Sequence, residues 1–104
     1  MHCLLIEGSF KPGKKAEFLA IWKKEILPTA KKQPGFADEV LLFGAADSGV
    51  GISFWKTKED AERYHRDIFP QSVHLVENLL QGQPTVRVFT VEASELLGAP
   101  RKVA

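Results

Sequence analysis

The sequence has a single cysteine, Cys3, which excludes an intrachain disulfide framework and any CxxC metal site. At the head of an apolar stretch it reads as a small buried hydrophobe. No apolar run approaches the ~18 residues needed to span a bilayer. The first seven residues carry neither a basic leader nor a long apolar core, which predicts no signal peptide and a cytoplasmic protein. No excess of one charge exists either: 14 Lys and Arg against 13 Asp and Glu leave a net +1. The lysines come as doublets (Lys14-Lys15, Lys23-Lys24, Lys31-Lys32) along or just past one helix. That is the pattern of a solvated helix face, not of an aromatic-laced surface for nucleic acid. A Gly-rich phosphate loop, HExxH, GxSxG and any clustered His, Cys and carboxylate set are all missing, which argues against nucleotide, metal and serine-nucleophile chemistry.

What is present fits one globular domain: 104 residues, 44% hydrophobic and 26% charged, enough chain to fold without staples. Residues 3–10 are short and mostly apolar before the Lys11-Pro12-Gly13-Lys14 turn, so they predict a first strand. Phe18, Leu19, Trp22 and Ile26 recur at helical spacing and predict a long amphipathic helix over 14–27. Pro28 has no N–H to donate, so the helix is expected to kink or stop near Leu27, with at most one more turn to Lys32. Pro34-Gly35 suits the centre of a type II turn. Residues 36–43 read as a second strand, 44–51 as a hairpin loop and 51–56 as a third strand.

A helix over 58–67 follows, with Thr57 as N-cap and Asp60 at the third helical position. Pro70 opens a further short helix striped by Val73, Val76, Leu79 and Leu80, with Gly82 as its C-cap. Residues 85–91, dense in β-branched side chains, make the last strand. The order is β-α-β-β-α-β, an α+β, ferredoxin-like domain over 1–92 followed by a tail, 93–104. Its four-stranded antiparallel sheet, of order 4-1-3-2, has helices on one face only. Yet the strands are apolar on both faces, which calls for a cover and predicts a homodimer packed through the sheet face.

The chemistry-bearing residues gather at the junction 50–69, where an apolar strand ends at Trp55 and runs into the capped helix. Ala61, Tyr64, His65 and Ile68 share a face of that helix. His65 is either a hydrogen-bonded core histidine or a base for a phenolic substrate. Trp55 is a core aromatic or a pocket wall, and Trp22 and Tyr64 fill the core or line an aromatic pocket. Glu7 and Arg87 sit mid-strand among apolar neighbours, as a cross-strand ion pair or a substrate-orienting pair. His74 shares a helix face with Gln71, Glu77 and Asn78 and is expected to face solvent.

The Lys11-Pro12-Gly13 turn before a long helix, Pro34-Gly35-Phe36, the run from Ser53-Phe54-Trp55 to Lys58-Glu59-Asp60-Ala61, and Val86-Arg87-Val88-Phe89 together resemble the antibiotic biosynthesis monooxygenase (ABM) family. The resemblance spans residues 3 to about 92. It implies a dimeric α/β barrel with a pocket between sheet and helices. It also implies oxygenation of aromatic polyketides or quinols without metal, flavin or other cofactor, the deprotonated substrate itself supplying electrons to oxygen. Heme-degrading members use a strand-one asparagine, a tryptophan and a heme-ligating histidine. Trp55 matches the tryptophan, while the strand-one position falls on Ile6 and the histidine position near Val73, with His74 one residue off. The resulting expectation is a cofactor-independent monooxygenase for a small aromatic, quinol or anthrone-like substrate. Its catalytic residues are His65 and Trp55, and Trp22, Tyr64, Ile6 and Arg87 bind the substrate. The alternatives are a non-catalytic ligand-binding or structural dimer of the same fold, and a heme-binding or heme-degrading protein.

Overall fold

The computed structural model describes residues 1–95. Four strands, β1 (His2–Ser9), β2 (Phe36–Phe43), β3 (Ser48–Trp55) and β4 (Thr85–Thr90), form one antiparallel sheet of order β2-β3-β1-β4. This is the expected 4-1-3-2 order read from the other edge. Central β1 pairs Leu4 with Ser53 on one side and Val88 on the other. Alternation along the strands then sends Leu4, Ile6, Ser53, Trp55 and Val86 to one face, and Cys3, Leu5, Ile52, Phe54 and Phe89 to the other. All the helices of the described residues pack on the first face.

Of the expected kink or stop near Leu27, the first helical arm takes neither as a break: it continues through the one further turn that the sequence allows. Helix α1 (Lys15–Ile21) passes into a π turn (Trp22–Ile26) and on into α2 (Leu27–Lys31), straight through Pro28. The reason is Pro28 itself, which has no N–H for the Lys24 carbonyl and whose ring would press on it. The chain accommodates one extra residue in that turn, and the Leu27 amide donates to the Trp22 carbonyl instead. Such π turns are the local form by which a helix absorbs this conflict without breaking.

The hairpin also differs from expectation. The strand β3 begins at Ser48, and the connection is only 44–47, because Gly44 and Ser48 close it by a backbone bond of 3.0 Å and the Ser48 hydroxyl donates to the Ala45 carbonyl at 2.8 Å. Gly49 and Gly51 therefore lie inside the strand. The Pro34-Gly35 turn forms as expected: Phe36 donates to the Gln33 carbonyl and Gly35 takes φ +81°. A Cβ there would fall 2.0 Å from an Asp60 carboxylate oxygen, so glycine is required twice over.

Thr57 caps α3 (Lys58–Asp67), its hydroxyl accepting from the Asp60 amide at 3.0 Å. Helix α4 (Phe69–Val76) follows at once and ends in a 3-10 turn, Glu77–Leu79. Gly82 lies three residues beyond that turn, at φ +82°. The core has two centres. One gathers Leu4, Ala30, Trp55, Ala61 and Tyr64; the other gathers Phe10, Ile26, Val76, Leu79 and Leu80. Of the expected tail, 93–95 are irregular, and 96–104 lie outside the described residues.

Candidate functional site

Three glycines line the space between sheet and helices: Phe10 packs on Gly49 and Pro84 on Gly8, and Gly51 borders open space. Gly8 on β1 and Gly49 and Gly51 on β3 present no side chain to the helices, and their strands adjoin, with Gly8 opposite Gly49 and Ile6 opposite Gly51. A Cβ on Gly51 would meet nothing within 4 Å. A cavity of about 80 Å³ lies here, and with the free space that opens to solvent beside it the volume reaches about 580 Å³. Its floor is Ile6, Leu41, Gly49 and Gly51; its walls are Phe10, Phe18, Trp22 and Ile26, with Val73 and Val76 from α4.

The π turn forms one of these walls. Phe18 sits one turn before it, and Trp22 and Ile26 are its first and last residues. Phe10 packs edge-on to Phe18 at 4.7 Å and to Phe43 at 5.4 Å. Lys15 closes the hairpin end: its ammonium donates to the carbonyls of Gly44 (3.0 Å) and Ala46 (2.5 Å) and lies 5.5 Å from the centre of the Phe43 ring. The hairpin is thereby tied to α1.

Among the described residues lining the cavity, Glu39 alone carries an ionisable side chain. It projects from β2 opposite Ser53. Its Oε1 is buried with no hydrogen-bond partner, an arrangement that costs about 1–3 kcal/mol for an ordinary buried polar atom. Burial first, and the charge of neighbouring Asp38 second, push the Glu39 carboxyl up to about 7. An ordinary glutamate is ionised well below that. Glu39 therefore carries and releases a proton near neutrality, beside an apolar space.

The six residues expected at the site divide. Trp22 and Ile6 line the cavity; Trp55, Tyr64, His65 and Arg87 are not among its lining residues. Trp55 is fully buried, its Nε1 donating to the Ser53 hydroxyl at 2.9 Å and its ring stacked on Tyr64 with centroids 4.7 Å apart. Burial, then the charge of Glu39, holds the Tyr64 phenol far above its ordinary value, against a hydrogen bond with Ser72 that lowers it. This phenol stays neutral at any working pH. His65 is half-buried, its ring tilted against Phe69 at 5.6 Å. Arg87 pairs with Glu7 at 2.5 Å on the sheet face turned away from the helices, the cross-strand ion pair that was one of its two readings.

His74 is exposed, as expected, and its Nδ1 lies 3.4 Å from Glu77; the neighbouring Val73 faces the cavity instead. The residue missed outright is Glu39. Its signal was an acid at an inward position of the strand, beside Asp38 and ahead of the apolar Val40 to Phe43, together with two glycines at alternating positions of the next strand, a pattern that marks close approach or open space.

No family model matches the chain. An inhibitor of apoptosis protein from Gallus gallus is 33% identical over 73 residues, which are 70% of this chain and 11% of that protein. The chain thus spans about a tenth of the length of this relative. A variant of SnoaB, a cofactor-independent oxygenase from Streptomyces nogalater, superposes with a TM-score of 0.73 at 18% identity, covering 91% of this chain and 96% of that one. A Nitrosomonas europaea protein of unknown function superposes at 0.75, with 18% identity and 91% and 92% covered. A structure named antibiotic biosynthesis monooxygenase superposes at 0.70, with 16% identity over 89% of this chain and 100% of that one.

The chain has the ABM fold. Within it, the apolar cavity occupies the sheet-to-helix space, toward the end of the sheet where β2 turns into β3. No helix of the described residues is long and apolar enough to cross a membrane, and no group of three or more His, Cys, Asp and Glu among them could hold a metal ion.

Proposed function

We propose that this chain is a cofactor-independent monooxygenase of the ABM family, acting on one ring of a small aromatic molecule of the quinol or anthrone kind. The observation that supports this most directly is the apolar cavity walled by Phe10, Phe18 and Trp22. Aromatic walls favour a flat ring by offset and edge contacts. A deprotonated ring of this kind reduces oxygen itself: its electron pair forms a C–O bond to O₂, and loss of water from the hydroperoxide leaves a carbonyl. Apolar walls limit the bulk water that reaches such a carbanion until oxygen arrives. The likeness to SnoaB adds support from a cofactor-independent oxygenase of the same fold.

Two copies packed sheet to sheet complete the proposal. Leu5, Val40, Ile52, Phe54 and Phe89 share the face that the helices leave open, and Phe89 is 43% exposed. Monomers seldom leave such a face to water. The reading places the active domain in 1–92, with 93–104 as a tail, and the protein in the cytoplasm.

The test is oxygen uptake by the purified, chelator-treated protein with dithranol, an anthrone, and with menadiol. One oxygen consumed per dithranol, with no added cofactor, is the expected result; uptake no faster than the uncatalysed rate with both rejects it. A second reading, a ligand-binding protein without chemistry, is favoured by the small cavity volume of about 80 Å³, below the roughly 300 Å³ at which drug-sized sites begin. Ligand binding without oxygen uptake would support it.

A further inference from the structure

Glu39 has the three attributes of a proton acceptor at a binding site, and they are independent of one another. It lines the apolar cavity, its Oε1 is buried without a partner, and it stands on a central portion of β2, held in register opposite Ser53. Buried polar atoms in native proteins are nearly always hydrogen-bonded, and an orphan at a cavity wall is a place where a ligand supplies the missing donor. The walls around it offer that ligand only apolar and aromatic contact. We infer that Glu39 is a catalytic residue that accepts the substrate's proton, and that the substrate is a neutral ring presenting an acidic O–H or C–H to this carboxylate.

The inference rests on the oxygenase reading and adds its missing base. For an anthrone the steps balance as follows. The Glu39 carboxylate takes one proton from the ring CH₂, and the electron pair of that C–H bond stays on carbon. The carbanion transfers two electrons to O₂ as the C–O bond forms, and Glu39 returns its proton to the peroxide. Glu39 then removes the second C–H proton as the O–O bond breaks, leaving C=O and hydroxide. The hydroxide recovers the proton from Glu39 and departs as water. One CH₂ and one O₂ become one C=O and one H₂O, with no other oxidant.

The groups that bear on Glu39 are few. Asp38, adjacent on β2, raises its pKa by charge, and Tyr64 of α3 feels its charge in turn but stays neutral. Ser53 opposite it, and Trp22, Ile26 and Val73 across the cavity, are uncharged. A carboxyl poised near neutrality in this setting has the match of proton affinity to working pH that general-base catalysis needs. Among the described residues the cavity lining contains no cation, so an anionic ring is repelled once Glu39 ionises. That sets the specificity toward neutral phenols and enols.

The test compares wild type, Glu39→Gln and Glu39→Asp with dithranol across pH. Wild-type kcat is expected to rise about tenfold per pH unit below neutrality and then level, the behaviour of one essential base. Glu39→Gln should lose on the order of 10²-fold or more in kcat, the usual contribution of such a base, and its acid limb should vanish. KM should change little, and Glu39→Asp should recover part of the rate together with the limb. A Glu39→Gln enzyme with wild-type kcat and an unchanged limb overturns the inference.

If wild type consumes no oxygen, the oxygenase reading fails separately, and Glu39 is judged on binding alone. Its carboxyl ¹³C resonance is then titrated with and without naphthol. A midpoint that moves when naphthol binds sustains Glu39 as the ligand's proton partner; an unmoved midpoint overturns it.

Discussion

The Leu27 amide donates to the carbonyl of Trp22, five residues back, and this one widened turn sets where the indole meets the cavity. Its cause is Pro28, which leaves Lys24 without a donor. Alanine at position 28 restores that donor, so the turn is expected to tighten to ordinary α-helix and swing Trp22 by roughly the 100° that one residue represents. Pro28→Ala should therefore gain about 1–3 kcal/mol of stability while losing at least tenfold in affinity for naphthol. Urea unfolding and quenching of tryptophan fluorescence read the two effects separately.

Gly51 offers a way to fill the cavity without disturbing the core, since a Cβ built there meets nothing within 4 Å. Valine also suits a strand better than glycine does. Gly51→Val is expected to leave the unfolding midpoint unchanged or raised and to abolish both naphthol binding and oxygen uptake. The variant protein, checked by circular dichroism and then titrated, decides this.

Trp55 stands apart from that space. Its indole is fully buried against Tyr64, with its one polar atom satisfied by Ser53. Trp55→Phe removes the hydrogen bond and part of the ring, and should cost about 2–4 kcal/mol by comparison with large-to-small core substitutions. Naphthol affinity, measured below the unfolding transition, should stay within threefold of wild type.

The Thr57 cap, the Pro34-Gly35 turn and the apolar second face of the sheet were legible in the sequence, because each follows from local residue chemistry or strict alternation, and the strand order followed from the β-α-β-β-α-β succession. The position of the cavity was not legible. Aromatic residues at a strand-to-helix junction suggested a site around Trp55 and Tyr64, but side chains large enough to line a pocket also fill one, and here they fill it. The open space arises where a side chain is missing at Gly51, while the Phe10 ring packs on Gly49 and Pro84 on Gly8. Starting the third strand at Gly51 left Gly49 in the loop and hid the alternation of the two glycines. The π turn was illegible for another reason: Pro28 signals a conflict in the helix, but whether the chain stops, kinks or widens depends on the packing of Ile26 and Ala30 against the sheet.

The sheet's open face predicts a change of mass. Ile52 lies on a central strand, on that face, between Leu5 of β1 and Val40 of β2. A charge at such a buried apolar contact disfavours association strongly. Ile52→Lys is expected to convert a dimer to a monomer by sedimentation at micromolar concentration. Leu75→Ser, an exposed position on α4, should leave the mass unchanged. A wild type that sediments as a monomer removes the sheet-to-sheet dimer altogether.

Glu39 ties stability to pH with a definite sign. Its carboxyl is raised in the folded chain from an ordinary 4.5 to about 7, so between those values the native state holds a proton that the unfolded state has released. Unfolding then takes less free energy as pH rises. The contribution is fully present below pH 4.5, is lost as pH climbs to about 7, and is flat above that. Its ceiling is on the order of 3 kcal/mol, reduced by the partial exposure of the side chain. Glu39→Gln has no proton to lose, so its advantage over wild type in urea unfolding should grow from about pH 5 to about pH 8. Equal slopes for the two proteins across that interval would mean that the carboxyl ionises as it does in water. A carboxyl of that kind could not carry a substrate's proton near neutrality, so the stability profile tests the chemistry with no substrate in hand.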